Sequence, residues 1–275
     1  MKRSVAFAFL ICFVFTRLAT AQSQSDDEPE ANPGRPTVST PATLTPVGYL
    51  QFESGFTGAH NSPEFSSRYS FTEVLKLSVT RRLELLASAE PVAHFTAAGT
   101  TANRVADVFL GAQGVLYQGE GPKPTFAVSY FHRAYDGGAP EFDFGSPTNS
   151  VLVLASADVK GFHYDANAFF TELVENPVRR GQFGQSVTIS HPFLGNFTLS
   201  GEIWHFTQPF LRSNATGNLW AVSYTARKTL VFDVGFNHGL THTSTQWELF
   251  AGFTYLLPHR LWTGDAFRRG TNGRP

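Results

Sequence analysis

Polar and apolar residues alternate with a period of two along most of this chain, and helical periodicity is nearly absent. The stretch LVFDVGFNHG, Leu230 to Gly239, shows the pattern in ten residues. Leu230, Phe232, Val234 and Phe236 fall on one face of an extended chain, and Asp233, Gly235 and Asn237 fall on the other. Runs of this kind predict strands at Gly48–Phe56, Tyr69–Val79, Leu83–Pro91, Arg104–Tyr117, Thr125–Ala134, Asn149–Val159, His163–Val174, Gln182–Ser190, Phe197–Phe206, Asn218–Ala226, Leu230–His238 and Thr245–Leu257. That is about twelve strands by the period-two test. Alternation alone says only that the two faces differ. In a soluble sheet the greasy face meets a core, and in a membrane barrel it meets lipid.

The connections separate these two cases. Long gaps, such as Thr57–Arg68, Val92–Asn103, Tyr135–Thr148, Glu175–Gly181 and Thr207–Gly217, alternate with tight ones, such as Thr80–Arg82, Lys160–Phe162 and Arg227–Thr229. Sorting loops by end is what an up-and-down meander across a membrane does. A soluble sandwich with Greek-key crossovers has no reason to do it. Tyr and Trp collect near strand ends, as at Tyr69, Tyr130, Trp220 and Trp247, in the manner of interfacial girdles. The fold expected is therefore all-β: a transmembrane antiparallel up-and-down barrel, with Asp233 and Asn237 facing an aqueous lumen.

Composition agrees. Charged residues make up 16% of the chain, well under the ~25% of an ordinary soluble domain, so much of its surface must avoid water or face lipid. A net charge of -1 argues against a nucleic-acid partner. Lys2, Arg3, the apolar run Val5–Phe15 and Ala19-Thr20-Ala21 read as a secretory signal over residues 1–21. The apolar run is too short for a spanning helix of ~20 residues. The one cysteine, Cys12, lies inside that signal, so no thiol chemistry and no cysteine metal site is expected in the mature chain. Residues 22–47 hold four acids and five prolines, and so cannot bury enough apolar area to pack alone. They are expected to form a disordered periplasmic leader ahead of a barrel over 48–262, with a polar tail over 263–275.

Arg104–Phe131, RVADVFLGAQGVLYQGEGPKPTFAVSYF, resembles a family of outer-membrane barrels associated with the meta-pathway of phenol degradation. Members carry a Gly-Asp-hydrophobic-hydrophobic-hydrophobic-Gly strand, a turn, then a strand opened by Pro. Asp107, Gly111 and Pro124 match this pattern. Arg35-Pro36, Pro46-Val47-Gly48, the strand Gln51–Gly55 and the Leu75–Leu86 hairpin are similar to the family's opening, and the likeness runs from Arg35 to Trp262. Ala106 stands where Gly is usual, Gln113 where Lys is common, and a later Pro-Thr-Gly is missing. The resemblance implies an outer-membrane barrel that transports hydrophobic or aromatic compounds, and it carries no catalytic set.

The predicted lumen face bears Glu53, Glu84, Glu90, Asp107, Asp158, Asp165, Glu202, Asp233 and Glu248, against Lys76 and Arg133, with Gln51, Gln113, Asn167 and Asn237 neutral. Such a lining favours cations if it is open. The alternative is that these acids pair inside a packed barrel, with Lys76 reaching Glu84 across its hairpin. Twelve strands fall between filled and open lumens, so a narrow pore and one plugged by the leader or a loop are both allowed. Phe131, Phe169, Trp204, Phe206 and Phe250 point inward, where they suit small apolar cargo or simply pack the wall.

Other chemistry is weaker. His132, His163, His191, His205 and His238 sit near strand ends, but no Gly-x-Ser-x-Gly elbow accompanies them, so a barrel lipase is not favoured. Asp136, Glu141 and Asp143 lack the spacing of a calcium loop, and DGGAPEFDFG is expected to be a solvated surface loop. The expected protein is a passive channel for small molecules, with no cofactor and no metal. Its partners would be outer-membrane lipid, the barrel assembly machinery during biogenesis and the cargo itself. A structural or adhesive barrel without transport is the alternative.

Overall fold

The computed structural model describes residues 28–143, 147–175 and 177–262. The expected signal and C-terminal tail lie outside the described residues. Thirteen strands run β1 (Leu50–His60), β2 (Ser67–Thr80), β3 (Leu83–Ala97), β4 (Thr100–Arg104), β5 (Val108–Tyr117), β6 (Thr125–Tyr135), β7 (Pro147–Val159), β8 (Phe162–Glu175), β9 (Val178–Leu194), β10 (Phe197–Gln208), β11 (Ser213–Arg227), β12 (Leu230–Gly239) and β13 (Trp247–Leu256). Each pairs antiparallel with its neighbours, and β1 pairs with both β2 and β13, which closes the sheet.

The ring has 12 positions, because β3 pairs with β5 along Leu83–Ala89 and with β4 along Ala93–Ala97. The predicted strand Arg104–Tyr117 is thus broken. Residues 105–107 interrupt it opposite Glu90–Val92, where β3 bulges against β2 at Glu90 and Pro91. Pro91, in that bulge, has no N–H to give to a ladder. The predicted loop Val92–Asn103 is likewise largely strand, zipped into the β3–β4 hairpin.

The side-chain period settles which face is which. On β12, Phe232 and Val234 are 46% and 57% exposed on the outer wall, while Asp233 and Asn237 are 6% and 5% exposed inside. Leu110, Val153, Val187, Leu199, Ile203 and Leu249 continue the outer apolar band. Burying ladder hydrogen bonds between closed strands leaves no edge to face lipid. Aromatic rings pack along the long-loop rim, with His60 edge-on to Tyr69 and His238 stacked on Trp247. The opposite end is closed by tight turns. Lys160 and Gly161 both have positive φ, 52° and 84°, as the favoured two-residue hairpin turn requires.

Candidate functional site: the lumen

The described part of the segment expected to be disordered, residues 28–47, is packed inside the barrel, and residues 22–27 lie outside the described residues. Residues 28–47 enter at the short-turn end, where Ala31 N donates to Lys228 O, cross the lumen, and return to the same end, where Gly48 N donates to Ser78 O. The composition argument fails because it asks whether the segment can build its own core. Here the barrel supplies the core. Val38, Ala42 and Leu44 pack against Leu152, Leu154, Phe169, Trp204 and Phe206. The inward aromatics therefore serve packing, Phe131 among them, and Phe250 packs separately with Leu219 and Ala221.

A segment outside any sheet must still satisfy its backbone groups. Wall side chains do this one at a time. Asn32 N donates to Gln51 Oε1 at 2.8 Å, and Gln51 Nε2 returns a bond to Asn32 O. Gly34 N donates to Glu53 at 2.9 Å. Val38 N, Ser39 N and Ser39 Oγ all donate to the Glu202 carboxylate at 2.7 Å. Asn167 pairs with Thr40 through both its amide atoms. Ala42 N donates to Ser156 Oγ, Gln113 Nε2 to Pro41 O, and Thr45 N to Glu84. The prolines at 33, 36, 41 and 46 bring no N–H, which shortens the list of donors to be met.

Arg35 is the charged anchor. Its Nε and Nη2 meet the two oxygens of Asp233 at 3.3 and 3.2 Å, and Nη1 donates to Thr72 Oγ1. The guanidinium lies over Gly55 and Gly252, which face each other across β1 and β13. A β-carbon on Gly55 would stand 2.3 Å from Arg35 Cζ, and one on Gly252 2.7 Å from Nε. These two glycines therefore make the slot that Arg35 fills.

The predicted lining residues divide as follows. Glu53, Lys76, Glu84, Gln113, Asp165, Asn167, Glu202, Asp233 and Asn237 are buried inside the barrel. Glu248 is half-buried there and accepts from Asn237, which in turn accepts from Trp204 Nε1. Lys76 pairs with Glu53 and not with Glu84, whose carboxylate is taken by Thr45 and Ser78. Asp158 keeps the lumen parity but sits at the short-turn rim, with its side chain 68% exposed beside His163. Glu90 lies in the β3 bulge and pairs with Arg68. Asp107 lies in the β4–β5 break, accepting from Arg133 and from Gly137 N. The acids that face the lumen are largely engaged by the N-terminal segment, by neighbouring wall residues and by loops.

The segment DGGAPEFDFG also departs from expectation. Ala139 is buried against Ala93, Phe95 and Ala106, and Asp143 accepts from Thr245 N at 2.7 Å. Phe142 lies under the Arg68 guanidinium, 4.2 Å from its ring centre. The described part of the loop thus folds into the long-loop mouth and is not a solvated surface loop. Its carboxylates do not converge on a metal: Asp136 is exposed beside Arg133, and Asp143 is spent on Thr245. Four of the five candidate histidines are engaged in local bonds, while the Nδ1 of His205 is buried with no hydrogen-bond partner among the described residues. His132 bonds Asn149, His163 bonds Asp158 and Asp165, and His191 and His238 bond backbone carbonyls.

Burial pushes the Glu141 carboxyl up to about 8, with Asp107 and Glu90 adding like charge, and it pushes Asp143 up to about 6 against the bonds from Thr245. A raised folded-state value means that the folded loop holds its proton more tightly than the open one. Its packing is strongest below the ordinary carboxyl range and weakens as pH rises through these values. Amide exchange at Gly137 and Thr245, corrected for intrinsic rate, should therefore quicken between about pH 5 and pH 8.5. Protection that is flat or rising over that range would contradict the assignment.

A closed antiparallel ring with an apolar outer band, a polar lumen and loops sorted by end is the architecture of an outer-membrane channel. No family model matches the chain, and no curated protein matches it. Among solved structures, the chain is similar to the COG4313 outer membrane channel from Pseudomonas putida F1, with 13% identity and a TM-score of 0.56 over 78% of this chain and 98% of that one. It is also similar to the NanC porin, with 11% identity and a TM-score of 0.52 over 76% of this chain and 100% of that one. At these identities the likeness is one of fold.

Arg35, Ser39, Ala42, Thr45 and Arg68 belong to the site and were not predicted. Arg35 stands out in the sequence only through the Arg35-Pro36 pair of the family resemblance, and Ser39, Ala42 and Thr45 only as small or hydroxyl residues in a proline-rich stretch.

Proposed function

We propose that this chain is an outer-membrane channel for small molecules whose resting lumen is closed by its own residues 28–47. The observation that carries this is the manner of closure. The plug is held by side chains acting on single backbone groups, by the Arg35–Asp233 ion pair and by a long, exposed one between Glu28 and Lys228, with no strand pairing to the wall. Such a segment leaves without breaking the barrel. When it does, Val38, Ala42 and Leu44 vacate an aromatic wall that fits small apolar or aromatic cargo, in keeping with the family resemblance. Glu84, Glu202 and Asp233 then lose their plug partners, face open water and favour cations.

In this reading the signal directs export, the assembly machinery inserts the barrel, the short-turn end faces the periplasm, and flow is passive. The packed lumen also favours a second reading, a structural barrel that never conducts. Planar-bilayer recordings separate the two. The full chain should be mostly silent, and the Arg35→Ala/Glu202→Ala variant should give steady openings with a cation-preferring reversal potential. Silence from that variant, with heat-modifiable folding intact, would favour the structural reading.

A further inference from the structure

At the long-loop mouth, above the lumen and apart from the plug, the loops enclose a cavity of about 340 Å³. Its floor and sides are apolar or aromatic at Phe142, Leu173 and Phe210, and its charged lining residues are Glu64, Glu141, Asp143 and Glu175. No lysine or arginine lines it among the described residues. The nearest guanidiniums are engaged: Arg68 with Glu90 and the face of Phe142, Arg180 with Pro209 O and the face of Phe210. Asp143 is taken by Thr245, but Glu64, Glu141 and Glu175 surround a partly enclosed apolar space with no cation among its lining residues, an unfavourable electrostatic load that a bound cation would relieve.

We propose that this vestibule binds a small amphipathic organic cation, a primary ammonium joined to an aromatic or short apolar body. The ammonium sits among Glu64, Glu141 and Glu175, and the apolar body lies against Phe142, Leu173 and Phe210. The volume suits a molecule of this size. Glu141 faces Asp107, Glu90, Arg68 and Arg133, and Glu64 faces Glu175; burial and the neighbouring acids push both carboxyls up. Binding therefore strengthens as Glu141 ionises. The vestibule binds whether or not the barrel conducts, so the site is tested apart from transport.

The test is calorimetric titration of the refolded full chain with phenethylamine and with its neutral counterpart 2-phenylethanol, at about pH 8.5, where the amine stays protonated. The amine should bind at least about tenfold more tightly than the alcohol. Glu141→Gln should remove most of that preference, and Glu64→Gln should weaken it by a smaller factor. Affinity for the amine should fall at about pH 6. Equal binding of the two probes, no binding, or a preference that survives Glu141→Gln would overturn the proposal. So would displacement of the amine by millimolar calcium, which would mark a metal site.

Discussion

Reversing the charge of the plug's anchor, Arg35→Glu, should open the channel more than any other single change. In the closed barrel the guanidinium meets both oxygens of Asp233 and donates to Thr72, in a slot floored by Gly55 and Gly252. Removing one partner of a buried ion pair costs on the order of 3–5 kcal/mol, because the other charge is left uncompensated. A glutamate at the same place adds repulsion from Asp233. The closed state should then lose at least about 100-fold in population, at 1.4 kcal/mol per tenfold. Single-channel recording would show this as openings in place of silence, and protease added from the short-turn side should cut within residues 28–47. The Arg35→Glu/Asp233→Arg exchange should restore much of the closure. A silent and protease-resistant Arg35→Glu variant would sink the idea that the segment is a gate.

Gly55 and Gly252 offer a milder version of the same test. A β-carbon at either position overlaps the guanidinium while leaving the charges in place. Gly55→Ala should raise the open fraction by a smaller factor than Arg35→Glu, on the order of tenfold, since the only atoms its β-carbon meets are those of the Arg35 guanidinium, which can shift within its slot. Equal behaviour of Gly55→Ala and the native chain in the same recordings would show that the slot is loose.

How much of this was legible beforehand follows from the range of the forces involved. The wall is local. LVFDVGFNHG encodes both its strand and its facing in ten residues, because the pleat fixes alternate side chains to opposite sides. Buried Glu53, Asn167, Glu202 and Asp233 followed from the same parity. The break at Ala106 and Asp107 was not legible, since its cause is Pro91 on the neighbouring strand, and register between strands is not written in either one alone. A lumen plugged by the leader is one of the outcomes the strand number allows, but its anchors were not legible. Arg35 and Asp233 are 198 residues apart, and nothing near Arg35 announces its partner. The acidic lining itself held the clue. Carboxylates and amides lining a narrow barrel need partners, and the prolines of residues 22–47, taken as signs of disorder, mark a chain that needs few donors satisfied.

Glu202→Ala should release the middle of the plug. This one carboxylate accepts three bonds, from Val38 N, Ser39 N and Ser39 Oγ. Hydrogen bonds to a charged group contribute about 1.5–3 kcal/mol each, though three on one acceptor do not simply add. Loss of the set should cost about 3 kcal/mol, enough to shift closure by roughly 100-fold. Glu202→Gln gives the finer discrimination. Its carbonyl oxygen still accepts, but its amide nitrogen confronts donors with a donor, so it should lie between Ala and the native chain. The conserved size of Gln also holds the neighbouring packing of Trp204 and Phe206. If both variants conduct alike, cavity formation and not lost acceptance drives release. If Gln is as silent as the native chain while Ala opens, the side chain matters for its bulk, and the closing force belongs to Val38, Ala42 and Leu44 against the aromatic wall.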